Sequence, residues 1–366
     1  MKGLAPEGPM SETKQRHCGI EILRMLSMFF ICMLHTLGQG MVLGYSKAGT
    51  PGYRAAWFLE IGAYCAVNCY ALISGYVGRK SRFKISRPII IWLEVVFYTL
   101  LITAGYAVFK PELIVEGTWF NAVFPIMKYQ YWYMTAYFGM VIFQPVMNKA
   151  INALPVRTLS LTLAGVMAIM CFLPAIFDVS VFGLSGGYSA FWLCIMYVAG
   201  GWLSRLKEEM EFRPPVWLSV LVYFASVGIA FFLKLKGFGR WVNYTSPLIV
   251  ISGIAIFLAC AGIDPKNRGV RGFVTFLAPS SLAVYLIHVH PLIWDDLVKG
   301  FAKSFAADPW YLLSLKSICA ALVIFTVCSL IDLIRRGLFR LVNLGKLLSK
   351  LDALLEKLFY KPKENT

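Results

Sequence analysis

Read along the chain, apolar runs long enough to matter recur from Gly19 to Arg336, separated only by short polar breaks. A helix needs about 20 mostly apolar residues to cross a bilayer. The pattern therefore predicts an all-α, polytopic integral membrane protein of about ten transmembrane helices. The spans fall at 19–42, 53–78, 88–109, 131–149, 158–176, 189–206, 216–235, 247–264, 279–298 and 310–336. Their edges carry helix punctuation, as in Thr50-Pro51-Gly52, Arg87-Pro88, Arg213-Pro214-Pro215, Ser246-Pro247 and Pro279-Ser280. Proline costs least at a helix start, where its missing N–H has no partner to lose. Beyond Arg336 the leucines at 341, 344, 348, 351, 355 and 358 alternate three- and four-residue steps, with Lys346, Lys350 and Lys357 elsewhere. That segment, Leu338 to Tyr360, reads as an amphipathic helix lying on the membrane surface, or as a heptad seam to a second copy in a homo-oligomer. The division expected is an N-terminal segment 1–18, a transmembrane domain 19–336 and a tail 337–366.

Composition agrees with the pattern: 58% of residues are hydrophobic, 15% are charged, and the mean hydropathy is +0.67. A soluble fold could not bury that much apolar surface, and no stretch is left over for a soluble catalytic domain. The net charge of +16 would suggest nucleic acid as partner in a soluble protein. Here the basic residues cluster in short loops on the side of the N-terminus, with Arg79, Lys80, Arg82, Lys84 and Arg87 in one of them. By the positive-inside rule both termini are then cytoplasmic, in a multi-pass protein of the cell (plasma) membrane with lipid rather than nucleic acid as its surroundings. The first apolar run is too long, starts too late and contains too much charge for a cleaved signal peptide. The nine cysteines form no CxxC pair and no Cys/His spacing suited to zinc. They read as packing residues, and no metal site or permanently bound cofactor is expected.

Chemistry concentrates in the first span, where Glu21, Arg24 and His35 enter an otherwise apolar helix. Ionisable groups are costly in lipid and mark function by default. Eleven positions at about 100° each bring Arg24 and His35 onto one face, about 16 Å apart along the axis. Glu21 lies one turn before Arg24 and can pair with it. A helix entering from the cytoplasm puts this pair near the inner surface and His35 in the outer half. Acyl-CoA thioesters exist in the cytoplasm, and an imidazole can take a proton from a hydroxyl attacking a thioester. The same spacing would equally suit a histidine bonded to a neighbouring helix and an arginine snorkelling to the interface.

These residues resemble a known family. Arg24 and His35 match the Arg-x10-His pattern in the first helix of the acyltransferase 3 group of membrane O-acyltransferases, with Glu21 where Asp is common. The segment Asn68 to Tyr76, with basic residues after it, is similar to the family's Ser-Gly-Phe/Tyr segment. Tyr131-Trp132-Tyr133 through Pro145 looks like its Trp-Phe-Leu helix, and Ser281 to His288 like its late Tyr-Leu-x-His segment. The resemblance implies an acyl-CoA donor, often acetyl-CoA, an essential base at His35, and a carbohydrate or glycolipid hydroxyl as acceptor. Some relatives carry an appended extracytoplasmic hydrolase-like domain, which this sequence lacks.

Other positions are read from the residues alone. Arg79, Lys80 and Arg82 stand where CoA phosphates would arrive, although topology alone would place the same charges there. Trp132 and Tyr133 could stack on a sugar or form part of an aromatic belt. His288 and His290 could meet His35 at the acceptor or simply be buried and hydrogen-bonded. Glu60, Glu94 and Lys316 are intramembrane charges without a partner legible in the sequence. The rival functions are a transporter or flippase for a lipid-linked sugar, and a membrane sensor or scaffold without catalysis.

Overall fold

The computed structural model describes residues 17–177, 179 and 182–359, with side chains to 354. Those residues fold into helices and connecting turns, with no strand among them. The helices that build the molecule are α1 (Cys18–Leu37), α2 (Pro51–Ala63), α3 (Ala66–Gly78), α4 (Ser86–Phe109), α5 (Trp132–Ala153) and α6 (Val156–Phe177). There follow α7 (Ala190–Glu209), α8 (Val216–Leu235), α9 (Pro247–Ala261), α10 (Arg268–Leu277), α11 (Ser281–His288), α12 (Trp310–Leu341) and α13 (Leu344–Phe359). Seven helical segments among the described residues are long and apolar enough to cross a membrane, against about ten expected. The protein is thus an all-α membrane protein.

Local signals set most boundaries. Thr50 caps α2 by accepting from Tyr53 N at 3.2 Å, with Pro51 at the first helical position. Ser189 caps α7 through Trp192 N at 3.2 Å, and Asn267 caps α10 through Gly269 N and Val270 N. Two expectations need correction. The span 279–298 is not one helix: α10, a 3-10 turn and α11 form a continuous segment, Arg268–His288, and the chain then breaks at His290-Pro291. His290 is extended there and its Nδ1 accepts from Leu292 N at 3.3 Å, so the proline starts a new turn instead of prolonging α11. The last span runs past 336 to Leu341, and Asn343 at φ 51° separates it from the amphipathic α13. Position 360, the expected end of that helix, lies outside the described residues.

Helix α1 is central, packing against α2, α3, α9, α10, α11 and α12. Its first turns join an apolar cluster around α3, α7 and α9 that contains Trp192, Tyr197 and Phe257. Its later turns join a second cluster with Tyr98, Leu286 and Phe325. Helices α3 and α7 pack backbone to backbone. A Cβ on Gly75 would lie 1.8 Å from Tyr197 O, and one on Gly200 2.1 Å from Leu72 O, so the two backbones touch where only hydrogen fits. Buried polar groups tie the rest together. Asn68 accepts from Trp192 Nε1 and donates to Tyr244 O, both at 2.9 Å. Arg335 bonds Asp332 at 2.6 Å and faces Glu94 at 3.4 Å, while Lys316 pairs with Asp308 at 2.7 Å. Two of the partnerless charges of the sequence thus find partners, Glu94 on a distant helix and Lys316 just before the start of its own. Glu60 is buried on α2 with one carboxylate oxygen unpartnered.

Candidate active site

A cavity of about 1150 Å³ opens between α1, α3, α4, α5, α7 and α11. Its two ends differ in chemistry. One is basic, lined by Lys80, Lys84, Arg87, Lys207 and Arg213 beside Glu208 and Glu211. The other holds His35 together with Trp132, Tyr133, Tyr244 and Tyr285. Arg24 and Glu21 line the wall between them, so the face that helical periodicity assigns to Arg24 and His35 is the cavity face.

Glu21 accepts from Arg24 Nη1 at 2.5 Å, and Tyr70 Oη bonds Arg24 O at 2.8 Å. Arg24 keeps 26% of its side chain exposed against 7% for Glu21, so the carboxylate anchors the guanidinium from behind. An arginine has five N–H donors, and this pairing occupies one. Further along α1, His35 Nδ1 lies 2.8 Å from His288 Nε2, and the Trp294 ring meets the His35 ring edge-on at 4.9 Å between centroids. His288 is 2% exposed and bonds Val284 O through its Nδ1. It stands behind His35 and does not line the cavity. His290 is also outside the cavity, buried against Tyr131 and occupied with the turn at Pro291.

The basic end separates the three cations singled out in the sequence. Lys80 lines the cavity and pairs with Glu208 at 2.7 Å. Arg79 is buried at 5% exposure, bonding Ser204 Oγ and Asn152 Oδ1 at 2.9 Å each and also Glu208, so it cross-links α3, α5 and α7. Arg82 is exposed on the loop after α3 and away from the cavity wall. Partial burial works against ionisation of Glu208, but hydrogen bonds from Lys80 and Arg79 outweigh it and hold this carboxyl below its usual range. Burial, reinforced by Lys207, keeps His17 below the ordinary imidazole value, so it adds no positive charge here at neutral pH.

At the far end Trp132 stacks with Tyr244 at 6.1 Å and packs on Tyr188 at 4.5 Å, while Tyr133 meets Tyr285 edge-on at 6.1 Å. Sequence reading missed Tyr70, Tyr244, Tyr285, Lys207 and Arg213 as cavity residues. Tyr70 and Tyr285 sit inside motifs already noted, so their signal was present. Tyr244 and Lys207 come from distant segments and reach the cavity only through tertiary packing.

A donor with anionic and acyl parts could enter at the basic end and extend past Arg24 to His35, where a hydroxyl could be deprotonated. Comparison with known proteins bears on the reaction class alone. The profile of the acyltransferase 3 family, described as an acyltransferase domain, matches residues 19–333. No curated protein and no solved structure matches the chain. With nearly the whole chain covered, including the helix that carries Arg24 and His35, the protein belongs to the acyltransferase 3 family and is a membrane acyltransferase.

Proposed function

We propose that the protein moves an acyl group, acetyl in the simplest case, from acyl-CoA to a hydroxyl of an extracytoplasmic carbohydrate or glycolipid. The observation that carries this reading is the single cavity joining a basic mouth to His35 with Arg24 in its wall. CoA phosphates are bound at the mouth by Lys80, Lys84, Arg87 and Lys207, since cation–phosphate hydrogen bonds are the strong, charge-assisted kind. The pantetheine arm runs along α1 past Arg24 and places the thioester beside His35. The acceptor rests on the aromatic end, where Trp132 and Tyr133 offer faces to a sugar. As the acceptor oxygen bonds to the acyl carbon, His35 takes the hydroxyl proton; the C–S bond then breaks and the proton passes to the CoA thiolate. Such general-base assistance contributes about 10²–10⁴-fold. With the N-terminal side cytoplasmic, the cavity takes the donor from within the cell and releases the product outside.

Mass spectrometry of cell-surface glycans from cells with and without the protein tests this reading. An acyl mass increment, traced to a labelled acyl-CoA pool, should be present only with the protein. Identical glycan masses in the two cell lines would refute it.

A further inference from the structure

We propose that His288 is a positioning residue that fixes the tautomer of His35, so that Nε2 of His35 is the nitrogen that accepts the substrate proton. The catalytic consequence rests on the reading of His35 as general base; the tautomer itself does not.

Val284 sets the proton positions. A backbone carbonyl can only accept, so the contact between His288 Nδ1 and Val284 O requires the proton of His288 to sit on Nδ1. A neutral His288 then has a bare Nε2, which can only accept. Its partner at 2.8 Å is His35 Nδ1, which must therefore carry the proton of His35. The remaining nitrogen of His35, Nε2, is left unprotonated on a residue that lines the cavity. A doubly protonated His288 would break this chain. It would also place a cation at 2% exposure with no carboxylate on either ring nitrogen, which is an unfavourable arrangement.

This direction opposes the intrinsic preference of a free neutral imidazole, whose proton favours Nε2. Without His288, His35 would present an N–H to the acceptor hydroxyl for much of the time and could not take its proton. With His288 in place, the proton arriving at Nε2 creates an imidazolium whose Nδ1–H already donates to a neutral acceptor. No charged partner is needed, which suits a site set among helices. The role parallels that of the orienting member of a hydrolytic triad, filled here by a second imidazole held by its own helix.

The test combines a direct readout of the tautomer with kinetics. In the purified full-length protein labelled with ¹⁵N-histidine, the His35 signals, assigned by their loss in His35→Gln, should show a protonated Nδ1 and a bare Nε2. A protonated Nε2 overturns the proposal, whatever the enzyme proves to transfer. In His288→Leu the proton should redistribute toward Nε2, and kcat should fall at least about tenfold, a partial loss of the roughly 10²–10⁴-fold that a general base contributes, with KM for acyl-CoA within about twofold of wild type. His288→Gln, whose amide oxygen can occupy the place of the lost Nε2, should restore the Nδ1–H form and most of kcat. A pair that is merely structural predicts a lower melting temperature in both variants and no change in the His35 tautomer; that result would also reject the proposal. Loss of acyl transfer in the wild-type protein, with the tautomer as described, would instead count against the function.

Discussion

Arg79 and Lys80 are neighbours in sequence and opposites in structure. Lys80 faces the cavity, whereas Arg79 is spent on Ser204, Asn152 and Glu208. Two kinds of loss should follow. Replacing Lys84 and Arg87 with Gln should weaken acyl-CoA binding by at least tenfold per direct phosphate contact, since each such bond is worth about 1.5–3 kcal/mol. Arg79→Gln should instead lower thermal stability, because it removes one of the two cations bonded to Glu208 and leaves the Ser204 hydroxyl and the Asn152 amide oxygen without their donor. Isothermal titration with CoA and a melting curve separate the two; unchanged donor affinity in the Lys84/Arg87 variant would remove these residues from the donor site. At this scale Arg24 and His35 were legible because one helix carries both, and 3.6-residue periodicity alone puts them on one face. His288 was legible as a residue but not as a partner, since the bond spans 253 positions and only tertiary packing closes it.

Helix ends were legible where proline or a capping side chain marks them, as at Thr50-Pro51 and Ser246-Pro247. The misread span at 279–298 failed because its apolar run continues across Pro291, and hydropathy does not register a broken backbone. Close packing leaves almost no trace in sequence: Gly75 and Gly200 look ordinary until α3 and α7 meet. Because the cavity residues Lys80 and Lys207 ride on the ends of these two helices, Gly200→Val should both lower the melting temperature and raise KM for acyl-CoA. A variant with wild-type stability and KM would show that the contact does not set the mouth. Helix α13 makes its own contact with the bundle, where Asp352 bonds Ser86 N at 3.0 Å and Ser86 Oγ at 2.5 Å at the start of α4. The Ser86 hydrogen bond, chiefly, holds the Asp352 carboxyl below its usual range. The contact is therefore complete above the ordinary carboxylate value of about 3.9 and is lost as the pH falls through the lower folded value. Asp352→Ala should speed proteolytic cleavage between α12 and α13 at neutral pH, and an unchanged cleavage rate would mean that α13 is held by its leucines alone.

For the whole molecule, fold class followed from hydropathy with little else, because lipid admits only helices or closed barrels and the runs have helical length. The cavity did not follow, since its walls come from six helices spread over most of the chain. Its orientation is a prediction of the charge distribution: the basic end should face the cytoplasm. Single cysteines replacing Lys47 and Lys80, both exposed, in a background with the exposed Cys319 changed to Ser, should label from opposite sides with a membrane-impermeant maleimide. Labelling of both from outside would invert or break the topology. The central claim, that His35 takes the acceptor proton while acyl-CoA occupies the cavity from the cytoplasmic side, is tested most directly in sealed inverted vesicles given labelled acetyl-CoA on their outer, cytoplasmic face. Wild-type vesicles should accumulate label in lumenal glycan, and His35→Gln vesicles with equal inserted protein should do so about 100-fold more slowly or worse, as expected for a missing general base. A His35→Gln rate within about threefold of wild type would be too small a loss for that role and would contradict the account.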